Sequence, residues 1–343
     1  MPVFKWLIMF LPVFVLLGCG DPLQAKIETQ IELVDMQIKK LSQRLSDGQV
    51  RNANLIRDYA SQLQILRPEL KTITQELAKD SGLKGPLYTN LVDRFQVAKH
   101  NPAAFSVPEE RLHELENLYQ AASPELFNDV LSDPLNVLAD LSEGKLARVN
   151  AISREASIKA NGAADFGAGS QLVGNPAYGN WRTDNSGMSF WEWYGMYALI
   201  SNVGDMFDSR RRIHYSDWSS RRDYSYYHDY GRYRYSSPGQ IKKQVQTEQR
   251  VAKNYRGKGQ FKSAYATSKT GASRVSSSSL TSQRAAKSFQ SAYAKPSTYK
   301  STAPSTKSTS TYKSTTSQKS SNFANNSSFR SSKSSSRGGF GGK

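Results

Sequence analysis

From Ile27 to Leu45 apolar residues recur at alternating intervals of four and three, as Ile27, Ile31, Val34, Ile38, Leu41 and Leu45, with Glu, Gln and Lys between them. That spacing keeps the apolar residues on one helical stripe, the seam of a coiled coil or a helical hairpin. The stripe breaks at Ser46-Asp47-Gly48, a turn signal. It resumes as Ile56, Tyr59, Leu63, Leu66, Leu70, Ile73 and Leu77, displaced by four residues from the first register, so one unbroken heptad helix is not expected. A short loop sets consecutive helices antiparallel and side by side, and the pattern therefore predicts a helical hairpin. Pro68 falls inside the second stripe, where its ring would clash with the carbonyl of Gln64, so that helix should kink or restart there.

Between Ser81 and Val107 the pattern thins around Gly82, Gly85, Pro86 and Pro102, which predicts a connector holding one short helix near Leu91, Val92 and Phe95. Pro108, Pro124 and Pro134 then stand where a first helical turn tolerates proline, and Ser123 and Asp133 precede two of them as N-caps. Three more helices follow, marked by Leu112, Leu115 and Leu118; by Leu126, Val130 and Leu131; and by Leu135, Leu138, Leu141, Leu146, Val149 and Ile152 with Gly144 interrupting. Residues 24–160 thus suffice for one all-helical core.

Composition changes this picture after residue 160. Asn161 to Asn180 is glycine-rich and reads as a linker; it lacks the Lys-Ser/Thr ending of a phosphate loop and the strand and helix context of a dinucleotide fingerprint. Trp181 opens an aromatic stretch centred on Phe190-Trp191-Glu192-Trp193-Tyr194-Gly195-Met196-Tyr197. Trp and Tyr pair an apolar body with a polar tip, which suits packing against the helices, a lipid interface or a partner protein. The stretch is too short and too charged to span a bilayer. Arg210-Arg211-Arg212 follows, then a run from Tyr224 to Tyr235 in which Tyr alternates with Arg, His, Asp and Gly. Interleaved Arg and Tyr suit anionic lipid head groups, acidic glycans or single-stranded nucleic acid. Trp191, Trp193, Tyr194, Tyr197, Arg210, Arg211 and Arg212 are accordingly the candidate membrane or partner contacts.

The chain of 343 residues carries a formal charge of +17, with 46 Lys and Arg against 29 Asp and Glu. From Gln240 onward roughly 20 of the cations face a single acid, Glu248, so the basicity belongs to the tail. Ser and Thr make up about a third of that tail, and little apolar surface is present to offset the ordering entropy, which predicts disorder. Short repeats run through it: Ser-Ala-Tyr-Ala at 263–266 and 291–294, and Ser-Thr-Tyr-Lys-Ser-Thr at 297–302 and 310–315.

Candidate chemistry is sparse. His100, His113, His214 and His228 are scattered without ligand spacing, so no metal site is expected. Glu192 stands among aromatics, a setting that can raise a carboxyl pKa, but it has no second carboxylate or histidine placed beside it by spacing. No catalytic residue and no cofactor site are assigned. An envelope hydrolase whose site assembles only in space stays open as an alternative.

The N-terminus supplies the localisation. Lys5, the apolar run Trp6 to Leu17, and Gly18 have signal-peptide anatomy, and the apolar run of about 12 residues is too short to span a bilayer. Leu16-Leu17-Gly18-Cys19 holds the only cysteine in the chain. It resembles the lipobox of bacterial lipoproteins, which implies cleavage before Cys19 and lipid on its thiol and amine. Each buried methylene of such chains contributes roughly 0.8 kcal/mol to anchoring. In enteric-type lipoproteins an Asp after the cysteine retains the protein in the inner membrane; the residue here is Gly20, which favours the outer membrane, facing the periplasm. The lipobox, Ser189-Phe190-Trp191 and the Arg337-Gly338-Gly339-Phe340-Gly341 ending also resemble the uncharacterised YgiB-like lipoproteins, a resemblance that implies anchoring and no activity.

The expected protein is mainly α, a helical hairpin/coiled-coil bundle followed by an aromatic-basic segment and a long disordered tail. Its parts are a signal peptide (1–18), a lipidated N-terminus (19–23), a helical domain (24–160), a Gly-rich linker (161–180), an aromatic Arg-Tyr segment (181–239) and a basic Ser/Thr-rich tail (240–343). Its expected role is structural or interactive, not enzymatic. The expected partners are the membrane through the anchor, an anionic lipid, glycan or cell-wall polymer, and a coiled-coil partner or a second copy. Export argues against the nucleic-acid alternative.

Overall fold

The computed structural model describes residues 21–162, 164–193, 212–255, 261–265 and 274–293, with side chains as far as Ala285. The chain divides into two units, Met1–Pro296 and Ser297–Lys343, and the second lies outside the described residues.

The protein is mainly α. Helix α1 (Pro22–Ser46) starts at Asp21, whose carboxylate accepts from the Leu23 N–H at 2.9 Å, with Pro22 at the first helical position. Its seam residues Ile27, Val34, Ile38, Leu41 and Leu45 are buried, as the heptad spacing requires. The chain turns at Asp47-Gly48, where Gly48 takes φ +68°, and α2 (Arg51–Leu66) follows. Pro68 ends α2 as expected: a 3₁₀ turn over Pro68–Leu70 intervenes and the helix restarts as α3 (Lys71–Ala78).

Helices α1 and α2 do not form the expected side-by-side hairpin. Helix α1 lies chiefly against α5 (Pro108–Ala121), whereas α2 packs on α3 and on α7 (Ser132–Leu141). The stripe of α1 is instead covered by Leu115 and Leu118 of α5, and that of α2 by the more apolar α7, where nine of ten residues are buried.

The stretch expected to be a connector is instead a full helix, α4 (Pro86–His100), burying Leu87, Leu91, Phe95 and Ala98 at helical spacing. Ser123 caps α6 (Pro124–Val130) as predicted, its hydroxyl accepting from the Leu126 N–H at 3.2 Å. Asp133 does not cap α7, which already begins at Ser132. Glu143 and Gly144 adopt φ +55° and +87°, so the third expected helix stops at Leu141, and α8 (Arg154–Asn161) begins only after an irregular stretch.

Residues 161–180 are not a solvated linker. Every residue from Ala168 to Asn175 is buried, and Ser170–Leu172 forms a 3₁₀ turn on α7. Gly174 explains part of the glycine usage: at φ +84°, a Cβ there would sit 2.8 Å from the His228 ring. The chain then forms a three-stranded antiparallel sheet in the order β1 (Gly179–Thr183), β2 (Ser189–Trp193), β3 (Ile213–His214). Helix α9 (Tyr215–Ser220), a π turn over Tyr227–Gly231, α10 (Pro238–Asn254) and α11 (Ser277–Tyr293) complete the described body. Helices α10 and α11 lie inside the span expected to be a disordered tail. Ser237 and Gln240 close a capping box on α10, and Gln244, Thr247 and Val251 bury one face of it.

Candidate functional site

Strands β1 and β2 decide where the aromatic segment points. The register pairs Trp181 with Trp191 and Arg182 with Phe190, while β3 adds Ile213 beside Trp191 and His214 beside Phe190. Alternation along a strand then gives two faces. One carries Trp181, Trp191 and Ile213 into the core, where the Trp181 ring centroid lies 5.3 Å from Trp191, 4.8 Å from Tyr215 and 5.3 Å from Trp218. The other carries Arg182, Phe190, Glu192 and His214 outward.

The candidate contact residues separate accordingly. Trp191 and Trp193 are 2% and 6% exposed and belong to the core, so neither is available to a membrane or a partner. The cause is their odd-numbered position on β2, opposite in face to Phe190 and Glu192. Arg212 is exposed, and its guanidinium carbon stands 4.3 Å from the centre of the Phe190 ring, a cation–π contact on the outer face. Tyr194, Tyr197, Arg210 and Arg211 lie outside the described residues, as does Cys19. Glu192 forms an ion pair with Arg182 on the partly exposed face, which occupies the carboxylate singled out as a general-acid candidate.

The Arg-Tyr run is buried. Arg222, Arg232 and Arg234 are 2%, 5% and 4% exposed, and Tyr224, Tyr226, Tyr227 and Tyr235 are at 1% or less. A desolvated guanidinium needs hydrogen-bond acceptors or an opposite charge, and Arg222 and Arg232 have a carboxylate beside them while Arg234 is held by neutral acceptors. Arg222 pairs with Asp229 and donates to the Ala264 carbonyl at 2.8 Å. Arg232 donates to Gln244 Oε1 at 2.9 Å and stands 3.6 Å from Glu248. Arg234 bonds to Asn117 and to the Ser282 carbonyl, the latter at 3.0 Å.

The helical bundle supplies the other half of these bonds. Asp133 accepts from the Tyr226 and Tyr227 N–H groups at 2.6 and 3.0 Å and from the Ser225 hydroxyl at 3.0 Å. The residue expected to cap its own helix therefore caps the π turn, satisfying donors at a helical N-terminus from across the molecule. Asp129 accepts from the Ser276 N–H at 2.9 Å and from the Ser276 and Ser279 hydroxyls, tying α11 to α6. Arg94 forks onto Glu114 at 2.8 and 3.0 Å and donates to the carbonyls of Arg234 and Ser236 at 2.8 and 3.1 Å. Asp80 accepts from the Tyr178 hydroxyl at 2.8 Å and from the Leu87 N–H at 3.1 Å.

Burial perturbs these groups strongly. Desolvation pushes Asp80 up to about 7 against the opposing bonds from Tyr178 and Leu87. It does the same to Asp133, again to about 7, against the bonds from Tyr227, Tyr226 and Ser225. Burial, and then the neighbouring Arg222, holds His228 well below the ordinary imidazole range. His113 is lowered to about 3 by burial and by Arg234. Such values mark a desolvated clasp. Neutral His228 bonds through Nε2 to the Val173 carbonyl, which joins the buried glycine-rich stretch to the π turn.

Among the described residues, no three His, Cys, Asp or Glu side chains are grouped to hold a metal ion, and no helix is long and apolar enough to cross a membrane. Compared with protein-family models, with curated proteins and with solved structures, the chain finds no match.

Proposed function

We propose that this is a lipid-anchored envelope protein with a structural or interaction role. In this reading the acyl chains on Cys19 hold it to the outer membrane, and the basic chain after Pro296 engages an anionic envelope polymer or lipid. The observation that carries the reading is where the cations go. Arg94, Arg222, Arg232 and Arg234 are sequestered against carboxylates and carbonyls inside the body. Lys300, Lys307, Lys313, Lys319, Arg330, Lys333, Arg337 and Lys343, by contrast, follow Pro296 with no acid among them. A stretch of one charge sign attracts polyanions through a screened, salt-sensitive field. The single-stranded nucleic-acid reading drew on stacking by the Tyr224–Tyr235 run, and those rings are mostly enclosed in the core, which removes its support.

Two experiments test the proposal. Labelled palmitate should enter the wild type and not Cys19→Ala, and the wild type should fractionate with the outer membrane. A chain ending at Pro296 should lose most of the salt-sensitive binding to anionic vesicles or to purified cell wall that the full chain shows. Cutting at Pro296 matters, because a cut at Gln240 would also remove α10 and α11 and their buried contacts. Equal binding by the full and shortened chains, or palmitate labelling that persists in Cys19→Ala, contradicts the proposal.

A further inference from the structure

The Ser-Ala-Tyr-Ala repeat is longer than its four residues. Phe261-Lys262-Ser263-Ala264-Tyr265-Ala266 and Phe289-Gln290-Ser291-Ala292-Tyr293-Ala294 agree at every position but the second. The first copy is seated in the body. Its Phe261 ring stacks on Tyr215, with planes 22° apart and centroids 6.3 Å apart. Ala264 has no exposed surface, so the seat has no room for a larger side chain there, and its carbonyl accepts from Arg222 Nε at 2.8 Å. The guanidinium of Arg232 lies 3.3 Å from the centre of the Tyr265 ring, and the Tyr265 hydroxyl donates to Gln244 Oε1 at 3.4 Å. The edge of Trp218 closes the side of the same ring at 6.3 Å between centroids. Ser263 folds the segment by accepting from the Tyr265 N–H at 3.3 Å.

Lys262, the position at which the two copies differ, is the exposed one. Phe261, Ser263, Ala264 and Tyr265, which make the contacts, are the ones repeated. A repeat that keeps the contacting residues and varies only at the solvent-facing one is a repeat of binding determinants. Among the described residues there is one such seat, and the sequence carries two segments with the residues that fill it. We propose that the seat formed by Tyr215, Trp218, Arg222, Arg232 and Gln244 is a docking site for residues 289–294 of a second copy of this chain.

The donating segment ends α11, which terminates at Tyr293. The last turn of a helix lacks intrahelical partners for its carbonyls and opens at low cost, so it can leave the helix to enter a seat. The resident segment is tethered to its own seat and competes at a high effective concentration. Exchange therefore favours crowded chains, and each donated segment links one molecule to the next in a heterologous, head-to-tail contact.

A fluorescent peptide of residues 287–296 titrated against the full chain tests this. Binding should be at least about tenfold tighter to the Phe261→Ala/Tyr265→Ala variant, whose resident segment is weakened, than to the wild type. The same peptide carrying Tyr293→Ala should not bind. Equal binding to both proteins, or retained binding by the Tyr293→Ala peptide, overturns the proposal. Should the double variant fail to fold, a photo-crosslinker at the Gln290 position of the peptide, the counterpart of the exposed Lys262, in large excess over wild type, should label residues around Arg232 and Gln244; labelling elsewhere overturns it equally. The full-length double variant should also self-associate with rising concentration, and adding Tyr293→Ala should abolish that. A monomer at all concentrations in both backgrounds would refute docking between copies.

Discussion

Arg94→Met is the sharpest perturbation of the buried network. The Arg94 side chain is 5% exposed and Glu114 is 1% exposed, so their pair is desolvated on both sides. Replacing the guanidinium with an apolar chain of similar length removes four hydrogen bonds at 2.8–3.1 Å: two to Glu114 and one each to the carbonyls of Arg234 and Ser236. Breaking one side of a buried pair costs about 3–5 kcal/mol. Each orphaned carbonyl adds about 1 kcal/mol or more. The total is on the order of 5 kcal/mol, a large share of the stability of an ordinary domain.

The pH dependence separates this cause from simple loss of packing. Burial already raises the Glu114 carboxyl, and Arg94 opposes that shift. Without Arg94 the folded-state pKa rises further above its unfolded value. A raised acid binds its proton more tightly when folded, so the favourable protonated contribution is full at low pH and disappears as pH climbs through the folded pKa. The deficit of Arg94→Met should therefore be largest at neutral pH and shrink toward pH 5. Urea unfolding followed by the fluorescence of the buried Trp191 and Trp218 measures both quantities. A loss below about 1 kcal/mol, the range of exposed pairs, or a loss identical at both pH values would refute the reasoning. The double variant Arg94→Met/Glu114→Leu should recover part of the loss and leave only the two carbonyls unserved.

Asp80→Asn should gain stability relative to the wild type between pH 5 and pH 8, by on the order of 2 kcal/mol in urea unfolding, because the wild-type carboxyl, at about 7 when folded, loses its favourable proton over that window and Asn has none to lose. Gly174→Ala should lower the melting temperature, since the new Cβ would stand 2.8 Å from the His228 ring at a backbone φ of +84°. A chain ending at Pro296 should keep the unfolding midpoint of the full chain, whereas one ending at Gln240 should lose several degrees, measured by circular dichroism, because Asp129 would lose Ser276 and Ser279 and Arg234 would lose Ser282.

What the chain displays locally was legible. The seam of α1, the break at Pro68, the turn at Asp47-Gly48 and the Ser123 cap all depend on residues within a few positions of one another. The fate of the Arg-Tyr run was not, because its partners are remote: Asp133 is 93 residues from Tyr226, and Arg94 is 140 from Arg234. A cation-rich tyrosine run looks alike whether it faces solvent or a distant carboxylate. The glycine-rich stretch was hidden in a different way, since Gly174 serves close approach to His228 and Gly179 close approach to the Glu192 backbone.

Two further features are carried by local spacing. Ser189-Phe190-Trp191-Glu192-Trp193 alternates in burial with the two-residue period of a strand, which separates the core tryptophans from Phe190 and Glu192. Leu87, Leu91, Phe95 and Ala98 form a helical seam behind Pro86. Of the candidate contacts, Arg212 is the one the described structure leaves exposed, and its perch on Phe190 could not be read from spacing alone, because residues 194–211 separate β2 from β3 in sequence.

Amide hydrogen exchange over residues 222–236 tests the central claim most directly, namely that the Arg-Tyr run is an internal clasp whose cations are unavailable to outside partners. The account predicts protection of the Tyr226, Tyr227 and Asp229 amides, which bond to Asp133 and to the Ser225 carbonyl, at the level of the core helix Ser132–Leu141. Asp133→Ala should release the first two amides. Exchange of the whole run within seconds in the wild type, together with slowing when an anionic polymer is added, would contradict it.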